Sequence, residues 1–126
     1  MIAYLDTNAL VWLSEGSLAG LNPKIDRLLQ EAVLLFSPMV LLELELLFEI
    51  KRSKRPARDI QNKVEHELGV RICDLPFSAI ASAALDEKWT RDPFDRLIVA
   101  NAKANGFAWL ISADELIARH YPRTVW

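Results

Sequence analysis

A chain of 126 residues, 52% apolar and 25% charged, is long enough to bury one real core and has the balance of an ordinary globular domain. Its formal charge of −2 excludes a global attraction to nucleic acid, so any such contact must come from a local patch. A single cysteine, Cys73, excludes an internal disulfide framework, and the scattered His66 and His120 make no zinc pattern. No apolar run reaches the roughly 20 residues of a membrane span, and no basic-then-apolar leader opens the chain. A reducing cytoplasm, without membrane contact, is the expected compartment.

The first run, Ile2-Ala3-Tyr4-Leu5, reads as a buried strand ending in Asp6-Thr7-Asn8, ahead of a helical pattern over Ala9 to Leu13. Asp6 has two readings: a cap for that helix, or a group at the carboxyl end of a strand, where open α/β sheets bind ligands. Ser14 to Pro23 is loop-like. Lys24 to Glu31 is a helix with Ile25, Leu28 and Leu29 on one face, followed by a strand at Val33 to Phe36. Ser37-Pro38 opens a further helix that runs to about Lys51. On its wheel Glu43 has Met39, Val40, Leu46 and Leu47 three or four residues away and Ile50 at seven, a face that helices normally bury. Glu45, Glu49 and Arg52 form a solvated stripe opposite. Lys51-Arg52-Ser53-Lys54-Arg55, with Arg58 nearby, is the one dense basic run, suited to a helix C-terminal dipole or to phosphates.

After a break at Pro56, Arg58 to Leu68 is a helix ended by Gly69, and Val70 to Leu75 is a third strand. Pro76 to Trp89 is mostly helical and rich in alanine. Asp92-Pro93 starts the next helix: a capping carboxylate, then a proline where its missing N–H costs nothing. Asp95 is therefore the third helical residue, and it shares its face with Ile98, Val99 and Ala102. A carboxylate on a buried face is costly unless it is paired or binds a metal. The helix ends near Asn105-Gly106, Phe107 to Ile111 is a fourth buried strand, and Ser112-Ala113-Asp114-Glu115 opens a short helix. Arg123 to Trp126 is a candidate edge strand. Strands alternating with helices predict a single domain over 1–126, a three-layer α/β/α sandwich around a central parallel sheet of four to five strands.

Four carboxylates fall at equivalent places: Asp6 and Asp114 follow strands, while Glu43 and Asp95 lie on otherwise apolar helix faces. Together they predict one acidic pocket at the carboxyl edge of the sheet, neutralised by protons or cations. With no histidine or cysteine in the set, hard oxygen ligands favour Mg²⁺ or Mn²⁺. Such ions activate water and stabilise the leaving oxygen in phosphodiester hydrolysis. Asp92, directly before Pro93, is read as a cap.

Asp6-Thr7-Asn8, Glu43 within Leu42-Glu43-Leu44, Asp92-Pro93-Phe94-Asp95-Arg96 with Ala100 and Ala102, and Ser112-Ala113-Asp114 resemble the PIN domain. The resemblance is greatest to the VapC-type toxins of bacterial and archaeal toxin–antitoxin pairs, and it covers essentially the whole chain in order. It implies a Mg²⁺- or Mn²⁺-dependent endoribonuclease that is a homodimer and is inhibited by a cognate antitoxin. It also implies Asp6, Glu43 and Asp95 as core catalytic metal ligands, Asp114 as the fourth, and Thr7 or Asn8 as orienting residues. Serine at position 112, where many relatives carry threonine, keeps the hydroxyl. Lys51, Arg52, Lys54 and Arg55 are the candidate contacts to RNA phosphates. Leu41 and Phe48, beside Glu45 and Glu49, are candidates for a subunit or antitoxin contact.

Other classes fit less well. An aspartyl-phosphate phosphatase wants Asp-x-Asp after its first strand, where position 8 is Asn; a phospho-receiver wants a lysine where Ser112-Ala113-Asp114 stands. The remaining alternative is a non-catalytic PIN-like module that binds RNA or a partner protein.

Overall fold

The first strand is apolar throughout because both of its faces are covered. In the computed structural model, which describes Met1–Trp126, β1 (Ile2–Leu5) has Ala3, Tyr4 and Leu5 fully buried. It forms the centre of a five-stranded, wholly parallel sheet with β2 (Val33–Phe36), β3 (Arg71–Ile72), β4 (Trp109–Ile111) and β5 (Thr124–Val125), in the order β3-β2-β1-β4-β5. Tyr4 lies between Leu35 on one side and Leu110 on the other, and Leu5 is opposite Ile111.

Helices α1 (Thr7–Ser14), α2 (Pro23–Glu31), α3 (Pro38–Glu49) and α4 (Ala57–Leu68) connect β1 to β2 and β2 to β3. Helices α5 (Phe77–Ala84), α6 (Pro93–Ala104) and α7 (Glu115–His120) carry the chain back past β1 to β4 and β5. Right-handed crossovers running in opposite directions put the two groups on opposite faces, which makes the α/β/α sandwich. The direction reverses between β1 and β4. The crevice beyond the carboxyl ends of those two strands is where open sheets take ligands.

Two buried polar groups tie the helices to this frame. The Tyr4 hydroxyl donates to Cys73 Sγ at 3.0 Å and accepts from the Asn101 and Asn105 amides of the α6 end at 3.0 and 2.8 Å. Burial and the Cys73 contact hold its ionisation above the usual tyrosine range. In the segment after α5, the buried Glu87 accepts from the Trp89 indole and from Lys103, each at 2.6 Å, and Trp89 stacks on His120 with ring centres 5.1 Å apart. This anchors the segment that delivers Asp92 to α6. Lys103→Ala leaves the Glu87 charge buried with only the indole as partner, and is expected to cost about 2 kcal/mol in urea unfolding. Glu87→Gln, which keeps an acceptor for Trp89, is expected to cost less.

Four expectations are corrected. Strand β3 is only Arg71–Ile72, shorter than Val70 to Leu75: its pairing stops after the Cys73 amide bonds Phe36 at 2.8 Å, and Cys73 then turns to Tyr4. Helix α5 ends at Ala84, short of Trp89, because the chain must turn to bury Glu87. On α3 the buried stripe is Val40 and Leu44, while Leu46 and Ile50 are exposed, so Glu43 sits half-buried at the edge of that stripe. Glu45 is also not simply solvated. Its carboxylate accepts the Ala57 amide at 3.1 Å, supplying the cap that Pro56 lacks the side chain to give α4. No helix is long and apolar enough to cross a membrane.

Candidate active site

Asp6, Asp95 and Asp114 are placed by the ends of secondary-structure elements, and Glu43 by the middle of α3. The Asp6 amide bonds Ile111 at 3.1 Å, the last link of the β1–β4 pairing, so its side chain emerges at the switch-point crevice. One carboxylate oxygen of Asp6 accepts the Ala9 amide at 2.8 Å. Both readings of Asp6 are therefore met at once, since it caps α1 and faces the crevice. Asp114 follows β4 and caps α7 through the Ile117 amide at 2.9 Å. Asp92 caps α6 through the Phe94 amide at 2.9 Å, and Asp95 stands in the first turn behind it. Glu43 projects from α3 and accepts the Thr7 hydroxyl.

These side chains share one cavity of about 200 Å³, lined by Asp6, Thr7, Asn8, Glu43, Asp92, Asp95 and Asp114, with Leu47 and Ile98 as its apolar walls. All four predicted carboxylates are brought together, as are Thr7 and Asn8. The basic residues are not among them: Arg52, Lys54 and Arg55 line an adjoining cleft, and Lys51 lines neither space. A larger groove, about 700 Å³, runs between α3 and α4, but its one carboxylate, Glu45, is already engaged as a cap. Size does not mark the chemistry here.

Asp6, Glu43 and Asp95 hold their protons more tightly than free carboxyls, with burial the largest cause. Burial raises Asp6 to about 6, against hydrogen bonds from Ser112 and the Ala9 amide that favour its charge, with Glu43 and Asp114 adding repulsion. Burial likewise raises Asp95 to about 7, and the charges of Asp92, Asp114, Glu43 and Asp6 all push in the same direction. Glu43 is raised by burial and by Asp92, and the Thr7 hydroxyl opposes this. Carboxyls held near neutrality by burial and like charge are a mark of functional sites. No three acidic, histidine or cysteine side chains close into a ready-made metal cage, so the donors converge on a space rather than on a point.

Asp92 and Ser112 carry more than the sequence reading assigned them. Asp92 lines the cavity as well as capping α6, and Ser112 steadies Asp6. The signal for Asp92 was present: a cap whose oxygen reaches back over the first turn necessarily lies beside a carboxylate at the third helical position. Ser112 becomes visible only with the β1–β4 register, which sets the residue after Ile111 next to the one after Leu5.

The fold is similar to that of VapBC2 from Rickettsia felis bound to a promoter DNA fragment, with TM-score 0.65 and 20% identity over 99% of this chain and 96% of the other. It is also similar to a toxin–antitoxin complex from Klebsiella pneumoniae (TM-score 0.63, 19% identity, 98% and 96% covered). FitAB bound to the IR36 DNA fragment is more distant (TM-score 0.54, 18% identity, 99% and 94% covered). No curated protein matches by sequence. The PIN domain pattern matches residues 3–121, nearly the whole length, and the chain therefore belongs to the PIN-domain family.

Proposed function

We propose that this chain is the nuclease toxin of a toxin–antitoxin pair, a VapC-type endoribonuclease that hydrolyses RNA phosphodiester bonds with Mg²⁺ or Mn²⁺ held among Asp6, Glu43, Asp95 and Asp114. The observation that carries this reading is the meeting of carboxylates from four separate segments at the β1–β4 crevice. Their mutual repulsion has no structural benefit, and a non-catalytic module has no use for it. PIN-domain membership supports a nuclease.

The donors fit such an ion. They are all oxygens, and Mg²⁺ keeps several of its own waters while using one or two carboxylates, which suits an open pocket better than a dry cage. A divalent ion supplies activation of water and stabilisation of the leaving oxygen. The chain's own residues hold the pocket in shape. Thr7 fixes Glu43, Ser112 and the Ala9 amide fix Asp6, and Asp92 sets the start of the helix that presents Asp95.

An antitoxin partner is supported by the toxin–antitoxin complexes with the same fold. Leu42, Leu46, Phe48 and Ile50 leave exposed apolar surface on and just after α3 for it or for a second subunit of a homodimer, whereas Leu41 packs partly into the core. A cytoplasmic location goes with that reading. Purified protein incubated with total RNA is expected to cut it in Mg²⁺ or Mn²⁺ and to leave it intact in EDTA. Cleavage that survives EDTA, or no cleavage in either metal, overturns the proposal.

A further inference from the structure

We propose that the cleft between α1 and the α3–α4 connection holds the nucleotide next to the scissile phosphate of single-stranded RNA, with Asn8 as the wall between the two spaces. This rests on the nuclease reading and deepens it. The cleft, about 300 Å³, shares Asn8 and Leu47 with the acidic cavity, so the two adjoin. Its charged lining is Arg52, Lys54 and Arg55 against one carboxylate, Glu15, and its apolar lining is Val11, Leu47 and Ile60.

Three features point to a nucleic-acid strand here. First, a polyanion is repelled by five clustered carboxylates and gains nothing from a chain of net charge −2, so nearby cations must hold it. Second, the cations keep their charge unneutralised, the one side-chain bond among them running from the Arg55 guanidinium to the Asp59 carbonyl at 3.5 Å. The ion pairs of the chain are Arg27–Glu31 and Lys103–Glu87, so Arg52, Lys54 and Arg55 have no carboxylate partner. Third, they are displayed from a fixed loop. Lys51 takes a left-handed conformation (φ 62°), the Arg52 and Ser53 amides bond Leu47 at 2.8 and 3.1 Å, and the Ser53 hydroxyl bonds the Arg55 carbonyl at 3.3 Å. The left-handed Lys51 and the Arg52 bond to Leu47 make a Schellman end to α3, which satisfies its last carbonyls and at the same time fixes the loop that carries the three cations. The basic run is thereby divided. Arg52, Lys54 and Arg55 face the cleft, while Arg58 belongs to the α3–α4 groove.

Cations beside an apolar lining complement one nucleotide, with the phosphate on the arginines and lysine and an unstacked base on the half-buried Val11 and Leu47. A duplex keeps its bases paired and stacked, and cannot offer one.

The test uses the Asp95→Asn protein, in which cutting is blocked, with fluorescent RNA oligomers whose cut position has been mapped with the wild type. Adding Arg52→Ala, Lys54→Ala and Arg55→Ala should weaken single-strand binding about tenfold or more. It should also lower the salt slope of log K by about 0.7 for each phosphate that the variant no longer neutralises. Removing the nucleotide on one side of the cut should weaken binding to the Asp95→Asn protein and leave binding to the quadruple variant unchanged, with thermal melts confirming that both are folded. If the wild type cuts RNA but the triple replacement changes neither affinity, slope nor the response to truncation, the cleft reading fails alone. If the wild type cuts no RNA, the nuclease reading fails. Equal binding of a duplex, or loss of binding to an acidic peptide with RNA binding unchanged, also overturns the cleft reading.

Discussion

Asp6→Asn and Asp95→Asn are each expected to remove metal-dependent RNA cleavage while the protein stays folded. Each substitution keeps the shape of the side chain and one oxygen, so the caps survive in part: asparagine still accepts the Ala9 amide at position 6. What is lost is a negative charge in a cavity whose proposed work is to hold a cation. Metal stabilisation of developing charge is worth several kcal/mol, and each 1.36 kcal/mol is tenfold in rate, so a loss on the order of 10²- to 10³-fold or more is expected. Glu43→Gln should behave alike. Asp114→Asn should lose less, because Asp114 is exposed and already engaged with Ile117. Thr7→Val removes only the hydroxyl that steadies Glu43, a contribution of ~1–2 kcal/mol, or roughly tenfold. Single-turnover cleavage of a defined RNA by the folded variants ranks them. Full activity in any two of Asp6→Asn, Glu43→Gln and Asp95→Asn removes these residues from the site.

The fold was legible because each element states its period and its ends. Asp92-Pro93 and Ser37-Pro38 mark helix starts that the structure places at Pro93 and Pro38, and Gly69 ends α4 in a left-handed conformation. The parallel sheet followed from short apolar strands separated by helices. What stayed illegible depended on distant partners. Nothing local announces that β3 stops to send Cys73 to Tyr4, 69 residues away, or that α5 stops to bury Glu87 against Lys103. At the site, the carboxylates stood out as charges at odd positions, Asp95 more cleanly than Glu43. The neighbours of Asp95 on α6, Ile98, Val99 and Ala102, are buried as its period demands. Two of the apolar neighbours of Glu43 on α3 and just beyond it, Leu46 and Ile50, are exposed. Glu43 is half-buried through its position at the crevice, where Thr7 meets it, more than through its helix face.

Without divalent metal, the fold is expected to lose stability as pH rises from 5 to 8, and with Mn²⁺ this loss should be reversed. An unfolded aspartate titrates near 3.9. In the folded chain Asp6 titrates at about 6 and Asp95 at about 7, so between pH 4 and 7 the native state binds more protons than the unfolded one. Unfolding free energy then falls with pH: the favourable contribution is complete below about pH 4 and is lost as pH climbs through 6 and 7. Asp6, nearly fully buried, should account for more of this than the half-buried Asp95, whose repulsions solvent partly screens. At the proposed site Mn²⁺ would bind the ionised carboxylates, and only in the folded state. It therefore adds about RT ln(1 + [L]/Kd), roughly 2.7 kcal/mol at a hundredfold excess over Kd, and adds it increasingly as the acids ionise. Asp95→Asn removes one charge from the cluster at the cost of a first-turn dipole contribution of ~0.3–1 kcal/mol. Four neighbouring acids raise Asp95, so the relief should exceed that cost at pH 8. In EDTA at pH 8 the variant should melt above the wild type by a few degrees; at pH 5, where Asp95 carries its proton, that advantage should vanish. Its response to Mn²⁺ should be mostly lost at both. Thermal melts of both proteins at pH 5 and 8, in EDTA and in Mn²⁺, decide the matter. A wild type that melts higher at pH 8 than at pH 5 in EDTA, or a variant that responds to Mn²⁺ as the wild type does, would leave Asp95 as part of a helix start and nothing more.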